Sequence, residues 1–351
     1  MSKFWGSLVK GLEPYVPGEQ PKQSFKLKLN TNENPFGPSP KVLEAIQNQL
    51  NQDLRLYPDP ESDELRLELA SYFNVERDMV FVGNGSDEIL AFIFQAFFQD
   101  QKVLFPDITY SFYPVYSSLF SVDYQLIPLN DHYEIDLMDY EDKNSHVIFP
   151  NPNAPTGIPL SLSKIENFVK KNPHRLIVVD EAYVDFGTES SIKLINKYDN
   201  IIITQSFSKS RSLAGLRIGC AFANSKLIEG LLRVKNSFNS YPIDRLAQTA
   251  AIHAIKDQEY FEKTRQSIIR AREYLINELD DLNFKTLKSG ANFIFTSHSQ
   301  KNALDLFQQL RKESVLVRHF KNPSRISNYL RITIGTDEQM KDLVSIIKKL
   351  I

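Results

Sequence analysis

Two stretches decide the fold: HRLIVVDEAY at 174–183 and IIITQSFSKS at 201–210. Each begins with a run of aliphatic residues, Leu176 to Val179 in the first and Ile201 to Ile203 in the second, and ends in polar groups. An unbroken apolar run, rather than an alternating one, describes a strand buried on both faces, as in a parallel or mixed sheet covered by helices. The same design recurs upstream in DMVFVGNGSDE (78–88), KVLFPD (102–107), YQLIPL (124–129) and HVIFPNPNAPTG (146–157), with helical patterns between several of these runs. Strands interleaved with helices indicate an α/β unit. Such a sheet binds ligands at the carboxyl ends of its strands. That rule singles out Gly85, Asp107 to Tyr110, Asn151 to Gly157, Asp180 to Tyr183, and Ser206 to Lys209.

Residues 1–25 hold Pro14, Pro17, Gly18 and Pro21 among few apolar positions and read as an irregular or partly helical arm. NTNENPFGPSP (30–40) is loop chemistry, and Pro40 opens a helix. Beyond residue 245 comes a long amphipathic helical stretch, then short strands (FKTL, NFIFTS, VLVRHF, LRITIG) alternating with helices. The expected fold is therefore α/β. A large domain, 28–240, has a mostly parallel mixed sheet with helices on both faces. Residues 1–27 and 241–351 form a smaller α+β domain with the N-terminal arm.

The chain has 351 residues, a formal charge of −2 and one cysteine, Cys220. The charge lacks the basic excess of a nucleic-acid binder. No apolar run reaches the length of a membrane span, and the start lacks a secretory h-region. A lone cysteine makes no internal disulfide and fits a reducing cytoplasm. The six histidines are scattered without metal-ligand spacing, so no metal is expected. No P-loop, nucleophile elbow or zincin motif is present.

Asp180 falls at a strand end, where a carboxylate needs a cation or several donors. Lys209 emerges among Ser206 and Ser208, with Arg217 eight residues on. An amine so placed serves as a phosphate ligand or as a nucleophile. GNGSDE opens a helix at Gly85 whose free backbone N–H groups make an anion site, and Ser86 and Asp87 sit in its first turn. Taken singly, each feature has a plain structural reading: a loop-capping carboxylate, a solvated lysine, an ordinary glycine turn. Taken together, they match pyridoxal 5'-phosphate, an aldehyde with a phosphate and a ring nitrogen that needs an acidic partner. Tyr110 is then placed to stack on the ring and Tyr183 to hydrogen-bond its phenolic oxygen.

The sequence resembles the fold-type I pyridoxal-phosphate aminotransferases, and among them the histidinol-phosphate aminotransferase subgroup. The likeness rests on KLNTNENPFGPSP, RLYPDP, GNGSDE, FPNPNAPTGI, VVDEAYVDF, SFSKSRSLAGLRIG, NSYPIDRLAQ, VLVRHF and NYLRITIGT. It implies that Lys209 bonds covalently to the cofactor, and that Asp180 pairs with its ring nitrogen and Tyr183 with its phenolic oxygen. Gly85, Ser86, Ser206, Ser208 and Arg217 fall to the phosphate, and Asp87 is counted among the cofactor-binding residues. Tyr57 serves the phosphate of the other subunit of a homodimer. Arg331 grips the α-carboxylate of glutamate or 2-oxoglutarate, and Arg318 the phosphate of histidinol phosphate. Tyr15 and Asn32 wall the substrate pocket. Where the family usually has an asparagine before the proline of N-P-T-G, this chain has Ala154, and Asn153 is the expected substitute. The role of Arg325 is left open. The implied reaction is amino transfer between histidinol phosphate and 2-oxoglutarate in histidine biosynthesis. The alternatives are another phosphate-substrate aminotransferase or phosphoamino-acid decarboxylase of the subgroup, an aromatic amino-acid aminotransferase, and a cofactor-binding regulator.

Overall fold

The computed structural model describes residues 2–22 and 24–351. Its strands, among the described residues, are β1 (Leu27–Lys28), β2 (Val80–Gly83), β3 (Val103–Pro106), β4 (Tyr124–Ile127), β5 (His146–Pro150), β6 (Ile177–Asp180), β7 (Ile201–Ser206), β8 (Gly219–Ala223), β9 (Phe284–Thr286), β10 (Phe293–His298), β11 (Val315–Leu316), β12 (Arg318–His319) and β13 (Leu330–Thr333). Seven of them form one mixed sheet in the order β2-β8-β7-β6-β5-β3-β4. From β7 through to β4 the pairings are parallel. Strand β8 runs antiparallel to both its neighbours, β2 and β7.

The apolar runs of the inner strands are continuous because both their faces are dry, whereas the edge strand β4, expected to be buried as well, is exposed at Tyr124, Gln125 and Leu126. Successive side chains of a strand point to opposite faces. Ile177, Val179, Ile201 and Ile203 enter one core, with Leu65, Leu69, Ile165, Val169 and Ala250 from the helices Asp63–Phe73, Leu162–Lys171 and Arg245–Lys256. Val178 and Ile202 enter the other, with Ile89, Ile93 and Leu231 from the helices Gly85–Phe97 and Ser225–Phe238.

A second, antiparallel sheet has the order β12-β13-β10-β9. Its core draws on Ile268, Leu275, Leu306, Leu310, Leu343 and Ile347 from the helices Gln258–Asp280, Ala303–Lys312 and Asp337–Leu350. Strand β1 pairs in parallel with β11, Leu27 opposite Val315, which ties the N-terminal segment to this unit.

Three details differ from the sequence reading. Strand β8 carries no clear strand pattern, because GCAFA is short and rich in small residues. VLVRHF is not one strand: β11 pairs with β1 and β12 with β13, so the run divides at Val317. The long helical stretch after 245 breaks at Asp257, whose backbone leaves the helical region and whose buried carboxylate pairs with Lys41 at 3.0 Å.

Candidate active site

Strands β6 and β7 are parallel neighbours with Asp180 opposite Thr204. Both therefore end at the same edge of the sheet. Asp180 closes β6, and Lys209 follows β7 by three residues. Between this edge and the smaller sheet lies a cavity of about 620 Å³. Lys209, Asp180, Tyr183, Ser86, Asp87, Tyr110, Ser206, Ser208, Arg217, Tyr15, Asn32, Arg318 and Arg331 all line it. Residues separated by up to some three hundred positions thus meet in one cavity.

Asp180 is buried and makes no ion pair among the described residues. Its carboxylate accepts from the hydroxyl of Tyr113 at 3.1 Å, the hydroxyl of Thr204 at 3.3 Å and the N–H of Ala182 at 3.3 Å. Burial outweighs these bonds and pushes its pKa from 3.8 to about 6. The Lys209 Nζ also lacks a carboxylate partner among the described residues. It donates to Thr31 O at 3.4 Å and stands 5.7 Å from the centre of the Tyr183 ring. Asn32, in the left-handed region at φ 56°, donates from Nδ2 to the Tyr183 hydroxyl at 3.0 Å and is itself fixed by Thr333.

The helix Gly85–Phe97 points its N-terminus at the cavity and has no side-chain cap. Its first N–H groups are the unpaired donors that every helix start carries. Around it stand Ser86, Ser206, Ser208 and Arg217, the last donating to Ser208 Oγ at 3.3 Å and to Asp87 Oδ2 at 3.0 Å. The other Asp87 oxygen accepts from the Tyr110 hydroxyl at 2.7 Å, so Asp87 orients both side chains. Two glycines make this packing possible. A Cβ on Gly85, at φ +79°, would lie 2.5 Å from Arg217 Nη2, and one on Gly219 would lie 2.4 Å from the Ser86 nitrogen.

At the other end of the cavity, Arg318 on β12 is directly opposite Arg331 on β13. Directly opposed residues of antiparallel strands share a face, and like charges placed so repel. Both guanidinium carbons stand 5.5 Å from the centre of the Phe320 ring. Arg331 donates from Nη2 to Asn30 O at 2.9 Å, while its buried Nε has no partner among the described residues. The arm closes over this end. Tyr15 stacks on Phe112 at 4.2 Å, and Glu19 forms a bidentate pair with Arg311 at 2.7 and 2.8 Å.

Three expected site residues do not line the cavity. Gly85 lies behind its wall and acts through its backbone shape. Asn153 is buried, and its Nδ2 is committed to Ile108 O at 3.0 Å and Thr156 Oγ1 at 3.2 Å, while Ala154 and Pro155 face the cavity instead. Tyr57 is 78% exposed and stacks on Tyr241 at 4.7 Å. Arg325 lies outside as well. It donates to Leu129 O at 2.7 Å and covers the Tyr133 ring at 4.9 Å, joining the loop before β13 to the loop after β4. Sequence reasoning missed Tyr113, Thr204, Gln20 and Phe320. Tyr113 and Thr204 hold Asp180 across the fold, so nothing in the local pattern marks them.

The model of the family described as aminotransferase class I and II matches residues 24–347. The chain is 56% identical to the histidinol-phosphate aminotransferase of Acinetobacter baumannii, over 99% of this chain and 97% of that protein. It is 52% identical to that of Clostridium botulinum, over 100% and 99%. In fold it is similar to the crystal structure of histidinol-phosphate aminotransferase from Sinorhizobium meliloti in complex with pyridoxal-5'-phosphate, with a TM-score of 0.88 at 23% identity, covering 100% and 99% of the two chains. With the paired strand ends, the cavity and a match across almost its whole length, this chain belongs to the class I and II aminotransferases.

Proposed function

We infer that this cavity moves an amino group between histidinol phosphate and 2-oxoglutarate, giving imidazole-acetol phosphate and glutamate, with pyridoxal 5'-phosphate as its resident cofactor. The observation that carries the reading is the pairing of an uncompensated buried carboxylate, Asp180, with an amine that has no carboxylate partner, Lys209, at the ends of adjacent strands. The residues fit the cofactor at three points. Asp180 offers a negative charge to a protonated ring nitrogen. The uncapped helix start, with Ser86, Ser206, Ser208 and Arg217, offers donors and charge to a phosphate. Tyr183 offers a hydroxyl already oriented by Asn32.

When bound, the cofactor supplies an aldehyde that carries the amino group and an electron sink for the substrate's Cα–H bond. The chain supplies the rest. Lys209 Nζ takes the Cα proton as general base and returns it when the direction reverses. Tyr113 and Thr204 hold Asp180 in place. Tyr15 and the arm shield the proton transfer from water.

The opposed arginines support the substrate assignment. In histidinol phosphate the phosphate sits on the carbon next to the amine-bearing carbon, so it reaches the same end of the cavity as the α-carboxylate of glutamate. One cleft then serves both anions, rather than Arg318 and Arg331 serving distant ones. A dianion suits two guanidiniums that otherwise face each other.

We assign the active unit as a homodimer. Tyr57 is exposed away from its own cavity, and Leu50, Leu54 and Leu56 beside it are exposed too. No helix among the described residues is long and apolar enough to cross a membrane. The placement in the cytoplasm is supported by the one cysteine, which is buried.

Three outcomes follow. With the native pKa near 6 and the unfolded one near 3.8, the proton on Asp180 stabilises the cofactor-free fold below pH 3.8, and that stability is lost as pH rises to about 6. Asp180→Asn removes this loss. In urea unfolding of cofactor-free protein, its stability relative to wild type should rise by up to about 3 kcal/mol between pH 4 and 7; a constant difference would contradict the buried, unpaired state of Asp180.

Arg318→Gln should lower kcat/KM for histidinol phosphate by about 10- to 100-fold, and for glutamate by less, whereas Arg331→Gln harms both. Single-turnover spectroscopy of each half-reaction measures this. Equal losses for both substrates in Arg318→Gln would sink the preference of Arg318 for the phosphate dianion, and a loss in Arg331→Gln confined to glutamate would sink the shared cleft.

Mixed dimers test Tyr57. If it serves the neighbouring site, one Lys209→Ala chain with one Tyr57→Phe chain leaves one site free of both defects and wild-type in rate. Activity no greater than that of Tyr57→Phe sites, after verified exchange, would place Tyr57 in its own chain's site.

A further inference from the structure

The segment 30–34 meets Lys209 at both ends of its side chain. The Nζ donates to Thr31 O at 3.4 Å. At the root, Asn34 Nδ2 donates to Lys209 O at 2.9 Å and to Ser210 O at 3.2 Å, while Asn34 Oδ1 accepts from the Phe36 N–H at 3.0 Å. Among the described hydrogen bonds, Asn34 is the donor to both carbonyls. A primary amide suits this position because it carries two N–H donors in one plane and an acceptor behind them. The Lys209–Ser210 unit is also tied from a third side, since the hydroxyl of the buried Ser210 bonds to the Asp185 carboxylate, and Asp185 O accepts from Arg265 at 3.0 Å.

The carbonyls of Lys209 and Ser210 belong to the peptide units that follow the lysine. Fixing both fixes the direction in which the lysine Cα–Cβ bond leaves the turn after β7. A flexible four-carbon stem still lets Nζ wander, so the root direction and the Thr31 contact together set where the amine reaches. The two contacts come from one five-residue stretch, in which Asn32 also orients Tyr183 and Asn30 O binds Arg331.

We infer that Asn34 is a positioning residue for Lys209: by clamping the carbonyls of Lys209 and Ser210 it aims the amine at the substrate Cα proton. The inference rests on the assignment of Lys209 as the catalytic amine. That assignment is tested on its own by borohydride trapping of the wild-type holoenzyme. A label on another lysine removes the assignment; a label on Lys209 with no effect at Asn34 removes only the positioning role.

The variants are Asn34→Ala and, as a milder change that keeps one donor, Asn34→Ser, both as holoenzyme. A misplacement of a catalytic group by around an ångström costs up to about 100-fold, so kcat should fall by about 10- to 100-fold in Asn34→Ala and by less in Asn34→Ser. KM for glutamate should stay within about twofold. The isotope effect with glutamate deuterated at Cα should rise, because proton movement has become the slow step. The pH midpoint of the bound cofactor's visible absorbance, which reports its bond to lysine, should move by about half a unit or more. The decisive arm repeats Asn34→Ala in a Lys209→Ala chain with methylamine supplying the base. There Asn34 has no lysine to aim, and the amine-dependent rate should change by less than about twofold. A loss as large as in the lysine-bearing enzyme would show that Asn34 organises the pocket at large and would overturn the proposal. An unchanged isotope effect and absorbance midpoint would do the same. If Asn34→Ala does not fold, Asn34→Ser carries the same comparisons.

Discussion

A carboxylate buried with only neutral donors is the feature on which the rest of this molecule depends. Asp180 is held by Tyr113, Thr204 and the Ala182 N–H, and those bonds do not offset the cost of taking its charge out of water. A sheet covered on both faces creates that dry environment, and the end of β6 places the group at its edge. On the proposed reading the position is built for a cation: a protonated ring nitrogen would supply one, and Asp180 would hold that proton while the cofactor served as electron sink.

The opposite imbalance occurs elsewhere in the cavity. Arg318 faces Arg331 across two strands, and Arg217 lies over an uncapped helix start. Asp87 offsets the charge of Arg217 in part, and no carboxylate among the described residues pairs with Arg318 or Arg331. Among the described residues that line the cavity, Asp180 is thus an unmatched negative site between two positive ones. A cofactor with a cationic ring and an anionic phosphate, plus a substrate with an anionic end, complements all three. Steric detail sharpens the complement: glycine at 85 and 219 lets Arg217 and β8 approach the helix start where any side chain would collide. The arm completes the enclosure, tied down through Glu19 to Arg311 and lying over Arg318 and Arg331.

The strands and their functional ends were legible because burial on both faces leaves an unmistakable mark, a continuous aliphatic run that stops at a polar residue. Asp180, Ser206 and Lys209 could be read from that mark alone. Arg318, Arg331, Tyr15 and Asn32 came only from the family resemblance, since single residues in a strand or loop carry no local signal. What escaped were features set by tertiary contact. Tyr113 reaches Asp180 from a helix 67 residues away in sequence. Strand β8 is short and, apart from the core residue Phe222, made of small residues. Asn153 was expected at the cofactor; its Nδ2 donates to Ile108 O and Thr156 Oγ1 while its buried Oδ1 has no partner among the described residues, and Ala154 faces the cavity. The side chain of Asn34 turns toward the root of Lys209, a direction that the loop composition of 30–40 does not disclose.

The proposed role of Asp180 is to hold a proton on the cofactor's ring nitrogen. Nitrogen NMR of the holoenzyme loaded with pyridoxal 5'-phosphate labelled with nitrogen-15 in the ring tests it most directly. A chemical shift typical of a protonated pyridine, persisting well above the pH at which the free cofactor loses that proton, is the predicted result, together with its loss in Asp180→Asn. A neutral ring nitrogen in the wild-type enzyme at neutral pH would contradict the account.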